Sequence, residues 1–319
     1  MVNIVNKKDR YRKLCDERND IPLFMQAWWM DAVCNPTKKR WDVFLVEYKG
    51  EIIGAMPYHL LNKYYFKIIL LPPLTQYNGI WIKYPENQSI NQRLRFEKMI
   101  MTNIIDQIDD SGISFFQQNF YHNITNWQPF YWLGFKQSTR YTYILKNISN
   151  TENIFNNIHS FKQKHIKKAQ RNLHVDFDMS ADEFYKFHSE SLSLNKKTIF
   201  YSEKLFKNIH TFAIERQQGK IIAIRDNDDN IHSAAFVIWD KESAYYLISA
   251  IHPQFKSSGA SSLMVWEAIL YLADKTKNFD FEGSMIESVA KTFEEFGAEQ
   301  TPYFIISKSN SFFSIYMNL

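Results

Sequence analysis

The chain of 319 residues has little cysteine and no long hydrophobic run. Its two cysteines, Cys15 and Cys34, form no C-x-x-C pair and have no histidine cluster around them in the sequence. We therefore expect ordinary thiols in a reducing compartment. The most apolar run, residues 66–74, contains two prolines and is far too short to cross a bilayer. Because the charged N-terminus also lacks the continuous apolar segment of a signal peptide, the sequence predicts a cytoplasmic protein without membrane insertion.

The motifs of several enzyme classes are also missing. The nine histidines form no H-E-x-x-H motif, and His159 and His165 are six residues apart, which is the wrong spacing for shared metal ligation on a helix. There is no P-loop, no G-x-S-x-G and no G-x-G-x-x-G, which argues against kinase, hydrolase and dehydrogenase chemistry. We expect no metal site. The net charge of +4 permits an anionic ligand but is too small to indicate a DNA-binding protein.

What the sequence does contain is a repeat. Apolar residues make up 45% of the chain, enough for substantial cores. Residues 133–146 (LGFKQSTRYTYILK) and 295–308 (EFGAEQTPYFIISK) align on their glycines, and each continues into an aromatic, β-branched strand that ends in lysine. Upstream of them, residues 114–120 and 278–284 match as short strands preceded by helical segments. The chain is therefore predicted to contain two related halves.

Each half also contains a β-hairpin, a further strand and a helix. The hairpins are predicted at residues 41–61, with a Lys-Gly turn, and at 220–240, with an Asp-Asp-Asn turn. In the second half, a strand over 243–251 and a helix over 260–275 lead to the strand at 278–284. The right-handed crossover rule makes these two strands parallel. Each half is thus predicted to be an α+β unit whose mixed, mostly antiparallel sheet is flanked by helices.

The polar stretch NISNTE at residues 147–152 separates the two halves. Its turn-forming residues and its helix cap predict one domain over residues 1–150 and a second over residues 151–319. In the second domain, we expect the parallel strands at 243–251 and 278–284 to diverge and open a cleft.

The turn before the helix at 260–275 has the composition of an anion-binding loop. Free backbone N–H groups and the helix dipole favour an anion at such a position, and a glycine lets the backbone approach it closely. The corresponding stretch of the first half, residues 83–92, has no glycine. A plain helix start capped by a serine is the alternative. The candidate residues are Lys256, Ser257, Ser258, Gly259, Ala260 and Ser261.

One long helix is predicted over residues 154–172, with an apolar arc beside a basic face. No acidic residue occurs from Asn153 to Leu173. A face of one charge indicates an anionic partner, such as the phosphates of CoA or tRNA, unless it is simply solvated. The candidates for phosphate binding on this helix are Lys164, Lys168 and Arg171.

The order of hairpin, strand, glycine turn, helix and strand resembles the GNAT-like N-acyltransferase fold. Two such halves in tandem resemble the FemABX-type peptidyltransferases and their bacterial relatives, most strongly over residues 253–284. The family's pyrophosphate loop reads Gln/Arg-x-x-Gly-x-Gly/Ala, whereas residues 255–260 read Phe-Lys-Ser-Ser-Gly-Ala, with the first position shifted or missing. The resemblance implies an acyl-CoA donor, such as acetyl-CoA, or an aminoacyl-tRNA donor, and the imperfect loop leaves both open.

On this resemblance, the acceptor amine needs a group that takes its proton. Glu282 is predicted at the end of its strand, beside aromatic residues, where burial raises a carboxyl pKa and suits a general base. Ser284 would orient the substrate, and Tyr245, on the preceding strand, is a further catalytic candidate. Tyr201, in a link between helices that would cover the cleft, is a candidate for binding substrate or phosphate. Alternatively, Glu282 pairs with a lysine or caps a helix, and Tyr201 is a packed residue.

The leading prediction is an N-acyltransferase that acts on an amine of a small molecule or of a cell-envelope precursor, with the first half as a degenerate copy of the domain. A FemABX-type transferase that uses aminoacyl-tRNA is one alternative, favoured by the basic helix. A non-catalytic module that binds RNA or another anion is the other. The asymmetry of the halves argues against the module, because only the second half keeps the glycine turn and the FDFEGS stretch.

Overall fold

The chain forms two compact units. The computed structural model describes residues 6–37, 40–311 and 313–314. Unit 1 contains Met1–Arg140 and Pro302–Leu319, and unit 2 contains Tyr141–Thr301. This division differs from the predicted boundary at residue 150, because the last strand of the chain completes the sheet of unit 1 while the strand that ends the first half enters unit 2.

The elements alternate as expected for two α+β units. The strands are β1 (Arg40–Tyr48), β2 (Glu51–Lys63), β3 (Phe66–Leu70), β4 (Trp81–Ile82), β5 (Phe115–Asn119), β6 (Lys136–Leu145), β7 (His174–Asp176), β8 (Gly219–Arg225), β9 (Ile231–Trp239), β10 (Ser243–Ile251), β11 (Asn278–Asp280) and β12 (Glu299–Ser309). The helices are α1 (Lys7–Glu17), α2 (Ala27–Cys34), α3 (Ile90–Asp110), α4 (Gln128–Trp132), α5 (Thr151–Asn157), α6 (Ser160–Ala169), α7 (Ala181–Leu194), α8 (Glu203–Glu215), α9 (Ala260–Leu272) and α10 (Glu287–Glu294). Within these described residues, no helix has both the length and the apolar character needed to cross a bilayer.

Unit 1 is a mixed sheet in the order β1-β2-β3-β5-β12, with β4 beside β2. The predicted hairpin is present, since β1 and β2 pair antiparallel around Lys49 and Gly50, both in the left-handed conformation that the turn requires. β3 and β5 pair in parallel. Helix α3 begins with a capping box, in which Ser89 and Gln92 bond each other's backbone, and its apolar stripe covers one face of the sheet.

Unit 2 is a sheet in the order β6-β11-β10-β9-β8-β7 with helices on both faces. On one face, α6 and α9 form an apolar core with residues such as Ala235 and Val237 of β9. Phe236 lies between them in the sequence and therefore points to the other face, where its ring contacts Phe206 of α8. The sheet of unit 2 is thus buried between two helical layers.

The prediction of one helix over residues 154–172 is wrong, because the chain forms two helices there, α5 and α6. Ile158 and His159 are extended, and the His159 side chain caps α6 by accepting a hydrogen bond from the Phe161 backbone N–H at 3.4 Å. The Gln163 side chain donates to two carbonyl oxygens of the preceding turn, which satisfies the end of α5. Arg171 therefore lies beyond the helix that carries Lys164 and Lys168.

Arg225 ties three elements of unit 2 together. Its side chain is 8% exposed and donates to Asp176 of β7 at 2.8 Å and to Glu183 of α7 at 2.7 Å. We expect Arg225→Met to lower the free energy of unfolding by about 2–3 kcal/mol, because two carboxylates lose a largely buried partner. Urea denaturation would measure this loss. Arg171→Met is the control, and a loss as large in this exposed residue would contradict the prediction.

Candidate functional site

Two parallel strands of unit 2 part at a point that we call the fork. β10 and β11 pair over only three positions, the last of which joins Tyr245 to Asp280. β11 ends there, whereas β10 continues to Ile251. The register between β10 and β9 also shifts between Tyr245 and Ile248, which marks a β-bulge at the fork. The predicted parallel pairing is confirmed, and the sequence predicts a cleft at the point where this pairing stops.

A tight turn follows β11 at the fork. Asp280 accepts a hydrogen bond from the Glu282 backbone N–H at 2.7 Å and another from the Thr142 hydroxyl. Glu282 and Gly283 both adopt left-handed backbone conformations, with φ of 61° and 69°. The strand was predicted to end at Glu282. It ends two residues earlier, because the Asp280 carboxylate captures the Glu282 N–H and turns the chain.

The Glu282 carboxyl group is placed where a carboxylate is poorly stabilised. The residue as a whole is half-buried, but its Oε1 atom is covered and has no hydrogen-bond partner among the described residues. Burial raises the pKa of Glu282 well above its usual value, and the nearby negative charge of Asp280 raises it further. The pKa therefore moves toward the range in which a carboxylate can take a proton from an amine at neutral pH.

The glycine turn, residues 256–261, leads into α9. It lies at the same end of the sheet as Glu282, since both follow the carboxyl ends of neighbouring parallel strands. Gly259 has φ of 83° and accepts the first hydrogen bonds of the helix. The Ser258 hydroxyl accepts from the Ala260 backbone N–H at 3.2 Å. Among the described residues, the N–H groups of Gly259 and Ser261 donate to no acceptor. Lys256 donates to the Asn195 side chain at 3.1 Å, and Ser257 is exposed.

Helix α6 packs directly against this turn. A Cβ atom on Gly259 would lie 2.8 Å from the His165 carbonyl oxygen and 3.4 Å from the Ala169 side chain. Lys164 and Lys168 are close to His165 on the helix surface, are exposed, and form no ion pair with any described residue. The helix that carries these two exposed cations is therefore packed against the glycine turn. The exposed Arg171 follows three residues after Lys168.

The remaining predicted site residues have structural partners. The Ser284 hydroxyl accepts from the Ile286 backbone N–H at 3.0 Å, which stabilises the turn before α10. Tyr201 is only 5% exposed, and its hydroxyl lies 2.7 Å from Nδ1 of His188. Burial raises the pKa of Tyr201. Its predicted contact with phosphate is not supported by this position, because the hydroxyl is engaged inside the protein. Tyr245 is buried beside Asp280 in the sheet register.

Asp280 and Thr142 also belong to the candidate site, although neither is among the residues predicted from the sequence. The alternating stretch FDFE placed a second acid two residues before Glu282, which was the available signal for Asp280. Thr142 is 138 residues distant in the chain and meets Asp280 only through the pairing of β6 with β11. Among residues 6–37, 40–311 and 313–314, no group of three or more histidine, cysteine or acidic side chains is placed to hold a metal ion.

Unit 1 lacks the carboxylates at the equivalent turn. Phe116 and Phe279 occupy equivalent positions, since each pairs with the strand that follows one of the two aligned glycines. Counting onward from Phe116, Gln117 and Asn119 stand where unit 2 has its two acids. The Asn119 amide donates to the Gln76 carbonyl oxygen at 2.8 Å. The pair of acidic residues at this turn, Asp280 and Glu282, is therefore a property of unit 2.

Comparisons with known proteins agree with this architecture. Residues 160–285 match the model of a family described as an acetyltransferase (GNAT) domain. The crystal structure of FemX is similar, with a TM-score of 0.68 and 11% identity over 93% of this chain and 95% of that chain. L-PGS from Bacillus licheniformis gives 0.57 and 10%, covering 99% of this chain and 97% of that one. A tandem GNAT protein from the clavulanic acid biosynthesis pathway gives 0.56 and 8%, covering 94% and 93%. No curated protein matches the chain.

These similarities define the fold. The chain has a tandem GNAT-like architecture related in fold to FemX, so the predicted resemblance and the predicted fold class are confirmed. The matched segment begins at α6 and ends at Met285. It therefore contains the basic helix, the glycine turn and the Glu282 turn, which together make the candidate site of this acyltransferase fold.

Proposed function

We propose that unit 2 transfers an acyl or aminoacyl group from an activated donor to an amine, in the cytoplasm. The observation that carries the proposal is the Oε1 atom of Glu282 at the fork of β10 and β11, which is buried and has no hydrogen-bond partner among the described residues. The GNAT family match over this segment supports a transferase. The acceptor would be the amine of a small molecule or of a cell-envelope precursor.

The chain's own residues fit a donor that carries phosphates. The backbone N–H groups of Gly259 and Ser261 donate to no acceptor among the described residues, and they lie at a helix N-terminus, where anions are favoured. Lys256 lies in the same turn, and Lys164 and Lys168 add positive charge from the adjoining helix. An acyl-CoA, such as acetyl-CoA, or an aminoacyl-tRNA would satisfy this chemistry, and either would supply the activated carbonyl carbon.

The reaction would use Glu282 as the proton acceptor. The nitrogen of the acceptor attacks the donor carbonyl, so that an N–C bond forms and the C–S bond of a thioester or the C–O bond of an ester breaks. The proton released by the nitrogen passes to Glu282, and the departing thiolate or alkoxide takes up a proton. The Asp280 carboxylate accepts a hydrogen bond from the Glu282 backbone N–H, and its negative charge helps to keep the Glu282 carboxylate basic. Positioning of amine and carbonyl in the cleft contributes to the rate.

Donor binding provides the first test. We expect Lys256→Glu to weaken the binding of acetyl-CoA, measured by isothermal titration calorimetry, by about tenfold or more, because a charge is reversed beside the phosphates. The control is Lys241→Glu. Lys241 is exposed in the turn before β10, at the opposite end of that strand, and should leave binding unchanged. Equal losses in both variants would contradict a phosphate site at the glycine turn.

An aminoacyl-tRNA donor is the second candidate, and the exposed cations of α6 favour it. The test compares the binding of an aminoacylated tRNA to the wild type and to the Lys164→Glu, Lys168→Glu double variant. Loss of tRNA binding in this variant, without any response to acetyl-CoA in the wild type, would assign the tRNA donor. Binding of RNA without transfer to any amine would instead identify a non-catalytic module and overturn the proposed activity.

A further inference from the structure

Helix α3 in unit 1 carries its apolar stripe beyond the region that other elements cover. Ile90, Leu94, Met101, Ile105 and Ile108 are spaced by three, four or seven residues and therefore share one face of the helix. The last three are buried. Leu94 is 46% exposed and Ile90 is 80% exposed. The first two turns of α3 thus present an apolar face to solvent.

The C-terminal end of helix α4 lies beside α3 and carries large, exposed side chains. Tyr131, Trp132 and Leu133 are 64%, 56% and 40% exposed, respectively. The Lys98 ammonium lies 5.0 Å from the centre of the Trp132 ring and so links α4 to α3, one turn after Leu94. Lys136 follows three residues after Leu133 and is also exposed. We call this the aromatic–basic surface, formed by Leu94, Lys98, Tyr131, Trp132, Leu133 and Lys136.

Two exposed lysines give the aromatic–basic surface a positive charge. Lys98 and Lys136 form no ion pair with any described residue. The sequence contains no Asp or Glu from residue 111 through residue 151. The nearest acid on α3, Glu97, is buried and bonded to Tyr84 and to other side chains of unit 1. The surface therefore combines exposed aromatic rings with cations that form no ion pair among the described residues.

We propose that the aromatic–basic surface docks on an anionic lipid membrane. Tyr and Trp have an apolar body and a polar tip, which suits them to the headgroup layer. Leucine side chains can enter the acyl boundary, while lysines reach the anionic headgroups from the same surface. An acidic protein would also satisfy the charge, but the interfacial chemistry of Tyr131 and Trp132 favours lipid. The proposal is independent of the activity proposed for unit 2.

Vesicle flotation tests this assignment with the whole protein. We expect wild-type protein to float with vesicles of equal parts phosphatidylcholine and phosphatidylglycerol, and not with phosphatidylcholine alone. Tyr131→Ser combined with Trp132→Ser should weaken binding about tenfold or more, because two interfacial rings are lost. Lys98→Gln and Lys136→Gln should each weaken it about fivefold, with a smaller dependence on salt.

A matched control is available in the turn between β2 and β3. Tyr64 and Tyr65 are 76% and 98% exposed but belong to another part of unit 1. The Tyr64→Ser, Tyr65→Ser variant should float like the wild type. The assignment is overturned if neither vesicle binds, or if this control loses as much binding as the Trp132 variant. A dimer on native mass spectrometry that disappears in the Trp132 variant would assign the surface to self-association instead.

Discussion

Glu282→Gln should lower kcat/KM for acyl transfer by about 10²–10⁴-fold, the contribution typical of general acid–base catalysis. The substitution keeps the size of the side chain and removes only its ability to take a proton. The affinity for the donor should stay unchanged, because the glycine turn and its cations are separate from the Glu282 turn. The measurement is the steady-state rate with whichever donor binds, at saturating and limiting amine.

A nearby exposed acid gives the control for this experiment. Glu287 begins α10 five residues later, and Glu287→Gln should leave the rate unchanged. In the wild type, kcat/KM should rise with pH through the raised pKa of Glu282, and this dependence should disappear in the Gln variant. A Gln variant with wild-type rate and an unaltered pH profile would show that the proton leaves by another route, such as water.

The raised pKa of Glu282 also predicts that Glu282→Gln stabilises the fold, although the same substitution lowers the activity. This pKa is higher in the folded protein than the ordinary 4.5, so the folded state binds more protons above that pH. The stabilising effect of the protonated group is complete below about pH 4.5 and is lost as pH rises through the folded pKa. Glu282→Gln should therefore melt at a higher temperature than the wild type near neutral pH, and the difference should shrink as pH falls.

Much of the fold could be predicted from local patterns. The hairpin turns at Lys49-Gly50 and at residues 226–230 carry the residues that their conformations require, and they form as predicted. The parallel pairing of β10 with β11 follows from a crossover rule that needs only a strand, a helix and a strand. The glycine turn was visible because only one half of the chain contains it.

The details that were missed depend on side chains reaching the backbone. The break between α5 and α6 is made by His159 and Gln163, two residues that would also fit a continuous helix. The early end of β11 depends on the Asp280 carboxylate and on Thr142, which a distant strand supplies. No sequence pattern predicts that β12 pairs in unit 1 and β6 pairs in unit 2. The alternation of apolar and polar residues in a strand is the same in either sheet.

Gly283→Ala should lower the free energy of unfolding by about 3 kcal/mol or more and also abolish transfer. Part of the loss is the cost of a left-handed alanine, about 1 kcal/mol, since Gly283 has φ of 69°. The larger part is steric. An added Cβ would overlap the Tyr141 carbonyl oxygen and lie 2.8 Å from the Thr142 Cα, both of which belong to the backbone of a paired strand.

The clash can be separated from the conformational cost by a second glycine. Gly112, in the turn after α3, has a similar φ of 63°, but no atom of the described residues lies within 4 Å of an added Cβ. Gly112→Ala should therefore cost only about 1 kcal/mol and leave transfer intact. Urea denaturation of both variants measures the difference. If the two losses were equal, the packing of the Glu282 turn against β6 would not hold the site. If Gly283→Ala loses more free energy of unfolding than Gly112→Ala and also loses activity, the fit of the Glu282 turn against the β6 backbone sets the position of Glu282. The proton acceptor then depends on the missing side chain of Gly283.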